Sequence, residues 1–406
     1  MKVVQINEVC GFGSTGSICK DISEYTINNG EDNIVFYGQR ESSYSSSRKF
    51  GYRWDNLIHS FLFTRILGIH GYGSIFSTFS LIRKLKKIRP DIIHLHNLHT
   101  NFINYPLLYN YIIKSNIPVV MTLHDCYNFT GQCEHYVGVN CTRYQDGCGD
   151  CPFIHKTIAP SLIFDWSKFL LSNKRRWYER IQNMSIVAVS KWLQSQAEKS
   201  VLAVRNHQIT TISNWIDTDI FYPRSQDEIS CVYNKYRLKS NLKYILAVSA
   251  SWKHETTKFK DIITLYNQLP SAYSLIVVGS CSPKTEFPDN IIYINYTEDI
   301  NELACLYSLA YAYVHVSVCD TFGKVIAEAM SCGTPPIVYD STACSEITGG
   351  YGLTVKPHDI SNIISNLGVL ERNDNDAMVN YVKSHYSKIT NLQMYQNIYK
   401  KLSDGK

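Results

Sequence analysis

The sequence predicts an α/β protein of two doubly wound domains that face each other across a cleft. Three observations lead to this fold class. Short runs rich in Val and Ile alternate with longer helical stretches, a pattern typical of parallel strands that are buried on both faces. The chain has 406 residues, enough for two or three domains with cores of their own. A polar stretch, 223–242, separates two sets of strand runs.

The first domain is predicted over residues 1–222. Helices over 80–88, 105–114 and 164–181 connect several of its strands, which are predicted at 3–6, 33–37, 92–95, 119–123, 186–189 and 209–212.

The second domain is predicted over residues 243–373, with helices over 260–269, 298–308 and 323–330 and with strands at 244–249, 274–278, 291–294, 312–316 and 334–338. Residues 223–242 are predicted to be a linker, because Pro223 opens a stretch with few apolar side chains. The last segment, 374–406, looks helical and lacks a strand, so we expect it to pack back toward the N-terminal domain.

Composition and charge exclude several classes of protein. With 45% apolar and 18% charged residues, the chain is neither disordered nor fibrous. A net charge of +5 is too small to predict a nucleic-acid partner. No apolar segment of signal-peptide length follows Met1, and the apolar region 57–79 is interrupted by His59 and Arg65, among others. The 13 cysteines are then expected to be mostly free thiols in the cytoplasm.

The positive charge is concentrated in the first domain. Residues 1–222 carry 23 basic and 17 acidic side chains, whereas 223–406 carry 17 and 18. Ten of the basic side chains crowd the predicted helices 80–88 and 164–181 or flank them: Arg83, Lys84, Lys86, Lys87, Arg89, Lys168, Lys174, Arg175, Arg176 and Arg180. This pattern fits either a helix that lies on an anionic membrane leaflet or an ordinary solvated basic face.

A glycine-rich turn, Gly11-Phe-Gly-Ser-Thr-Gly16, follows the first predicted strand. Its spacing matches the dinucleotide fingerprint and permits an NAD(P)-dependent oxidoreductase. Four residues separate the strand end at Ile6 from Gly11, however, whereas the fingerprint places the first glycine almost directly after the strand. The turn is therefore read as another phosphate or substrate loop, with a structural turn as a further alternative.

Four cysteines, Cys133, Cys141, Cys148 and Cys151, lie within 19 residues. A structural zinc ion, disulfides and unligated thiols are all compatible with this spacing. A site closed by four cysteines has no open position for a substrate, so zinc would brace a loop rather than catalyse. A non-catalytic, zinc-braced binding protein also stays open on this basis.

Polar residues close several of the predicted strands. His124 and Asp125 follow the strand 119–123, at the edge where open parallel sheets bind ligands. His94, His96 and His99 lie at the end of another strand, where they line a polar cleft or, less favourably, bind a metal. Asp217-Thr-Asp219 has the spacing of a carboxylate metal clamp, but a turn or helix cap is the better interpretation.

The most informative segment is 320–338, in which a strand leads through Asp320 into a helix that opens near Gly323 and carries Glu328. Both acids can face a ligand that is held at the helix start. The free N–H groups and the helix dipole there favour a diphosphate.

Together these motifs resemble the retaining family-4 glycosyltransferases of the GT-B fold, which has two Rossmann-like domains. Segment 320–338 resembles their Glu-x7-Glu block, and His124 resembles the histidine that closes an N-domain strand. Asn214-Trp-Ile-Asp217 is similar to their Asn-Gly-Ile-Asp segment. Thr122-Leu-His-Asp, followed by Phe129-Thr-Gly and the cysteines, is similar to the colanic-acid branch, which builds surface polysaccharides such as capsule and O-antigen.

The resemblance implies retaining transfer of a hexose from a UDP- or GDP-sugar to a saccharide acceptor, which we expect to be lipid-linked, at the inner face of the cell membrane. It implies no metal or other cofactor for catalysis. His124, Asp320 and Glu328 would form the catalytic site. The donor would be bound by Gly13, Ser14, Thr15, Gly16, Lys258, Phe322, Gly323, Lys324, Val325 and Glu328.

The sequence departs from the family pattern at two places. The first acid of the block is Asp320 rather than Glu, and the Arg-Lys-Gly cluster that normally neutralises the leaving diphosphate is missing. Lys258 is the best candidate for this role, with Lys253 and Lys260 as alternatives. A non-hydrolysing epimerase of the same fold also stays compatible with these residues.

Overall fold

The structure, a computed structural model, describes residues 1–204, 207–282, 285–297, 299–370 and 375–404. The chain divides into two compact units. The first unit comprises Met1–Ile212 and the chain from Asn391 onward, and the second comprises Ser213–Thr390.

The first unit contains a parallel seven-stranded sheet with the order β3-β2-β1-β4-β5-β6-β7. Its strands are β1 (Lys2–Asn7), β2 (Asp32–Tyr37), β3 (Ser47–Lys49), β4 (Ile92–Leu95), β5 (Val119–Leu123), β6 (Met184–Ala188) and β7 (Gln208–Thr211). Its helices are α1 (Gly13–Asn28), α2 (Arg53–Ile58), α3 (Ile75–Ile88), α4 (Tyr105–Ser115), α5 (Ser167–Arg180) and α6 (Lys191–Ala197), with a π-helical segment at His59–Ile66. The central strands β4 and β5 are buried along their whole length, as expected for strands covered on both faces.

The second unit contains a parallel six-stranded sheet with the order β10-β9-β8-β11-β12-β13. Its strands are β8 (Lys243–Trp252), β9 (Tyr273–Cys281), β10 (Ile292–Ile294), β11 (Ala312–His315), β12 (Pro336–Tyr339) and β13 (Leu353–Val355). Its helices are α7 (Gln226–Lys235), α8 (Thr257–Gln268), α9 (Ile300–Leu309), α10 (Lys324–Ser331), α11 (Cys344–Thr348), α12 (Ile360–Asn366) and α13 (Asn375–His385).

These two sheets confirm the predicted doubly wound fold. In each unit the first strand lies inside the sheet, with β1 between β2 and β4 and with β8 between β9 and β11. The strand order reverses at these positions, and the carboxyl ends of the strands there form the ligand-binding edge of such sheets. The segments that follow β1, β8 and β11 each leave from the ligand-binding edge of their own sheet, and they carry the glycine turn, Lys258 at the start of α8, and Asp320.

The short edge strands β3 and β13 were absent from the prediction, because β3 contains no apolar residue and β13 has only two, Leu353 and Val355. The helix predicted over 298–308 begins at Ile300, and residue 298 lies outside the described residues. In the described part of the chain, none of the helices combines the length and the apolar character that crossing a bilayer requires.

The division between the units lies after Ile212, ten residues before the predicted boundary at 222. Residues 223–242 are not a linker, because they contain helix α7. Ser225 and Glu228 form a capping box at its start, and Ile229 and Val232 are buried. The sparse apolar residues of this stretch thus form one helical face, a pattern that its polar composition concealed.

The C-terminal segment is shared by the two units. Helix α13 belongs to the second unit, and the predicted boundary between residues 373 and 374 lies outside the described residues. The last helix, α14 (Lys388–Asp404), belongs to the first unit from Asn391 onward. Its Tyr395 and Tyr399 are buried there, since their hydroxyl groups bond to Thr122 at 3.1 Å and to His94 at 2.6 Å.

Candidate functional site

The start of helix α10 in the second unit is shaped by Gly323. This residue is in the left-handed region with φ +72°, and an added Cβ would lie 2.7 Å from Ile326 Cδ1. No side chain caps the N-terminus of α10, so its first N–H groups, including those of Lys324 and Val325, are available to an anion. Phe322, predicted to bind the donor, is buried, and the centre of its ring lies 5.3 Å from that of Tyr386. Its side chain therefore packs in the interior beneath the start of α10.

Glu328 lies one turn into α10 and is only 8% exposed. Tyr307 donates a long hydrogen bond of 3.4 Å to its carboxylate, and the Lys324 amine lies 4.0 Å away. Burial raises the pKa of Glu328 to about 7, against the opposing effects of Lys324 and Tyr307. A buried carboxylate with so few donors around it can accept hydrogen bonds from a ligand's hydroxyl groups.

Asp320, eight residues before Glu328, is oriented by a chain of buried groups. His315 Nε2 lies 2.7 Å from its Oδ2, and the Tyr313 hydroxyl lies 2.9 Å from His315 Nδ1. Burial lowers the pKa of His315, but Tyr313 and Asp320 outweigh it and hold the pKa above its usual value. Asp320 N–H also donates to Thr342 Oγ1 at 3.1 Å. Its carboxylate is therefore fixed at the end of β11 and is still one-third exposed.

Lys258 lies in the first turn of α8, after β8. Its amine donates to Ser249 Oγ and, at 3.2 Å, to the Ser251 carbonyl, and it lies 4.9 Å from the centre of the Trp252 ring. Burial lowers the pKa of Lys258, whereas the nearby Asp320 carboxylate raises it. Lys258 is thus held within electrostatic range of Asp320.

The structure therefore gathers Asp320, Glu328, Lys258, Gly323 and Lys324 around the carboxyl ends of neighbouring strands. It adds three groups that the sequence analysis missed: Tyr307, Tyr313 and His315. The only sequence signal for His315 was its position at a strand end, five residues before Asp320.

Among the described residues, one set of metal-ligating side chains has its ligand atoms within 4.8 Å of one another: His315, Asp320 and Cys344. The hydrogen bond between His315 and Asp320 accounts for the closeness of these two groups. The Asp217 clamp is a turn, as favoured above, since Asp217 Oδ1 accepts the Asp219 N–H at 3.2 Å.

In the first unit, the glycine turn leads from β1 into α1. Gly11 and Gly13 have φ +70° and +63°, and Gly11 N–H donates to the Gly16 carbonyl at 2.9 Å. Gly13 and Ser14 are exposed, Thr15 is half-buried, and no side chain caps α1. The turn thus presents a second uncapped helix start at the ligand-binding edge of its sheet.

His124, directly after β5, takes part in a hydrogen-bonded relay. Gln5 donates through Nε2 to the Cys19 carbonyl at 3.0 Å, so its Oε1 must accept from His96 Nε2 at 2.9 Å. His96 Nδ1 then accepts from His124 Nε2 at 3.0 Å. Burial lowers the pKa of His124 to about 4, although the negative charge of Asp125 acts to raise it. His124 is therefore neutral, with its proton on Nε2.

The neighbouring histidines, predicted to line a polar cleft, are instead buried in a polar network. His94 bonds to Tyr399 and to Thr122, and His99 pairs with Asp125 at 2.6 Å. Burial raises the pKa of Asp125, but the charge of His99 and its hydrogen bond outweigh burial and lower the pKa to about 2.

The basic face of α5 is smaller than predicted. Lys174 is 3% exposed and donates to the carbonyls of Tyr127 at 2.6 Å and Thr130 at 2.9 Å. Burial lowers its pKa to about 7. Lys174 therefore faces the protein interior and not a membrane, while Lys168, Arg175, Arg176 and Arg180 are exposed.

The first unit also carries an unusual apolar surface, called here the apolar patch. Fourteen large apolar side chains, each at least one-third exposed, lie in the segments 52–79 and 162–169: Tyr52, Trp54, Leu57, Ile58, Phe61, Leu62, Ile75, Phe76, Phe79, Leu162, Ile163, Phe164, Trp166 and Phe169. The segments are in contact, since Leu162 N–H donates to the Arg65 carbonyl at 2.8 Å and the rings of Tyr72 and Phe169 lie 5.9 Å apart. Exposed patches of this kind mark surfaces for partners or membranes.

Comparisons with known proteins agree with this fold. A solved structure from Anabaena, Alr3699/HepE in complex with UDP-glucose, is 15% identical, covers 100% of both chains and has a TM-score of 0.67. Lipopolysaccharide outer core galactosyltransferase WaaB covers 99% of both chains with a TM-score of 0.63 at 12% identity. These likenesses show the fold, which is the two-domain GT-B architecture.

The chain belongs to Glycosyltransferase Family 4, whose model matches residues 18–220; the model of glycosyl transferases group 1 matches residues 243–373. It is 30% identical to O-antigen chain mannosyltransferase RfbU of Salmonella typhimurium over 34% of this chain and 43% of that protein. It is 20% identical to the putative colanic acid biosynthesis glycosyl transferase WcaC of Escherichia coli over 90% of this chain and 89% of that protein. The predicted family is confirmed, and the oxidoreductase alternative is not favoured.

Proposed function

We propose that this glycosyltransferase moves a hexose, with retention of configuration and without a catalytic metal, from a UDP- or GDP-sugar to a lipid-linked saccharide in surface polysaccharide biosynthesis. The observation that carries the proposal is the uncapped start of α10 with Glu328 and Asp320 beside it. These three features match the parts of a nucleotide-sugar. The helix start offers N–H donors to the diphosphate, and the two carboxylates offer acceptors to the hydroxyl groups of the ribose and of the hexose.

The second unit would bind the donor. The N–H groups of Gly323, Lys324 and Val325 bind the diphosphate, and Glu328 accepts hydrogen bonds from the ribose hydroxyl groups. Asp320 accepts hydrogen bonds from the transferred hexose. His315 holds Asp320 through Oδ2 at 2.7 Å, and this hydrogen bond fixes the orientation of the whole carboxylate group.

Catalysis would follow from charge stabilisation. Cleavage of the bond between sugar and diphosphate leaves negative charge on the leaving group, which the α10 dipole and Lys258 stabilise. The leaving phosphate assists deprotonation of the acceptor hydroxyl. We base retention on the resemblance of segment 320–338 to the retaining family.

In the first unit, His124 would form a hydrogen bond with a hydroxyl group of the sugar. The Gln5–His96 relay supports this role, because it fixes the tautomer of the imidazole ring, with the proton on Nε2. Gly13, Ser14, Thr15 and Gly16 would bind phosphate or acceptor groups at the start of α1.

The lipid-linked acceptor and location at the inner membrane face are supported by the apolar patch and nearby cations. Phe61 and Leu162 are each 64% exposed, and exposed basic residues such as Arg83 and Lys168 lie on the same unit. Each cation near an anionic leaflet contributes about 1 kcal/mol. Vesicle flotation tests this part: wild type should float with phosphatidylglycerol vesicles, and a Phe61→Ser/Leu162→Ser variant should float less. Ile389→Ser, at an equally exposed position of the second unit, should float like wild type.

Thermal unfolding with UDP, GDP, ADP or NAD, each with and without EDTA, tests the donor site. A nucleotide at 100 times its Kd should stabilise the protein by about 2.7 kcal/mol. Stabilisation by UDP or GDP that survives EDTA and is lost in Glu328→Ala supports the proposal and identifies the base. Stabilisation by NAD alone would contradict it. Anomer analysis of the product, made with the matching hexose donor and extracted membrane lipid, then tests retention.

A further inference from the structure

The loop between β5 and α5 has little regular structure of its own. Across residues 130–166 its one helical turn is Val137–Val139. Cys133, Cys141, Cys148 and Cys151 lie in this loop, and all four are free thiols. All four line the same small cavity. The four cysteines of this sequence cluster thus lie around one cavity, in a segment with one short helical turn and no strand.

The backbone around the Cys148–Cys151 turn is unusual. Cys148, Gly149 and Asp150 follow one another with φ +32°, +122° and +45°. Two of these three are not glycine, and left-handed backbone at such residues costs about 1 kcal/mol each. Conformations of this kind persist where the surroundings hold them in place.

Donors around the cluster suit thiolate ligands. Gly131 N–H donates to Cys148 Sγ at 3.3 Å. Arg143 donates to the carbonyls of Gly149, at 2.7 Å, and Asp150, so a guanidinium holds the turn. The buried Lys174 amine lies on the carbonyls of Tyr127 and Thr130, next to this loop. Four thiolates on one divalent ion carry two net negative charges, which these two cations offset.

We propose that Cys133, Cys141, Cys148 and Cys151 bind one Zn²⁺ ion in a closed, structural site. Zn–S bonds of about 2.3 Å place the sulfurs of a tetrahedral site about 3.8 Å apart. Among the described residues, the set of ligand atoms already within 4.8 Å is His315, Asp320 and Cys344 rather than these cysteines. Binding therefore requires the four side chains to turn further into the cavity that they line.

The ion would brace the segment that follows His124. The Cys126 N–H donates to the Glu134 carbonyl at 2.9 Å, and Thr130 Oγ1 donates to the Cys133 carbonyl at 2.6 Å. These bonds join the cysteine loop to the end of β5. The site does not depend on the proposed donor or acceptor, and it stands if their assignment fails.

Metal analysis of the full chain, purified with a thiol reductant and without chelator, tests the proposal. Wild type should contain one zinc per chain, and cobalt substitution should give the visible absorption of a tetrahedral four-thiolate site. Cys148→Ser and Cys151→Ser should each lose most of the zinc. Cys231→Ser, at an exposed cysteine of the second unit, should retain it.

Two results would overturn the proposal. One is wild-type protein without zinc whose four loop thiols all react with a thiol reagent in the native state. The other is an intact mass lighter by four hydrogen atoms, which would indicate two disulfides. Because both are measured on wild type, a variant that fails to fold does not affect the outcome.

Discussion

Glu328→Gln should change how stability depends on pH. Burial raises the pKa of Glu328 from its ordinary 4.5 to about 7. The folded state therefore holds this proton more tightly than the unfolded state does. Its stabilising contribution is complete below pH 4.5 and is lost as the pH rises through 7. At ~1.4 kcal/mol per pH unit, the loss amounts to about 3 kcal/mol at pH 8.

Glutamine has nearly the same size and stays neutral, so the variant should not show this loss. The difference in unfolding free energy between Glu328→Gln and wild type should rise by about 3 kcal/mol between pH 4.5 and pH 8. Urea unfolding at several pH values measures it, with the exposed Glu286→Gln as control. If the difference stays constant across this range, the pKa of Glu328 is not raised by burial and the reasoning is refuted.

Nucleotide binding gives the same prediction a functional readout. Ribose hydroxyl groups donate to the ionised carboxylate and hence favour it. The affinity of wild type for its nucleotide should therefore increase as the pH rises through about 7, and that of Glu328→Gln should be weak and should show only the pH dependence that titration of the nucleotide's own phosphate causes. Isothermal calorimetry with the nucleotide found above measures both. Equal pH dependence in the two proteins would show that Glu328 does not contact the ligand.

Three further predictions concern other parts of the site. Because the pKa of His124 is about 4, nitrogen NMR should show a neutral ring with its proton on Nε2 at pH 6; a charged ring there would contradict the relay. Gly323→Ala should weaken nucleotide binding at least ~10-fold, because the new methyl group would lie 2.7 Å from a neighbouring isoleucine. Gly350→Ala is the control and should leave the affinity unchanged, because Gly350, at φ +89°, has open space around it. Lys258→Gln should lower kcat about 100-fold, as loss of a charge-stabilising donor does, while the exposed Lys260→Gln should not; equal rates in steady-state assays would exclude Lys258 from this role.

The candidate site was recovered only in part from the sequence. Asp320, Glu328 and Gly323 were found because they lie within nine residues on one strand–helix unit, so local spacing determines their geometry. His315 was missed because a histidine at the end of a buried strand is compatible with many roles. Its function depends on the 2.7 Å bond to Asp320, which arises from how the loop after β11 folds back.

The sequence by itself determined the layers of this protein. Buried strands need continuous apolar runs, and this local requirement placed most strands of both sheets within a few residues of their observed bounds. It also determined the helix start at Gly323, because a left-handed residue there excludes most side chains.

Only the tertiary structure decided which distant residues meet. Gln5, His96 and His124 are far apart in the chain, and pairing of β1 with β4 and of β4 with β5 makes them one relay. The boundary after Ile212 and the return of the chain from Asn391 likewise depend on which apolar faces cover each other. Sequence periodicity shows that a face is apolar, but the surface that buries it is chosen by packing across the whole unit.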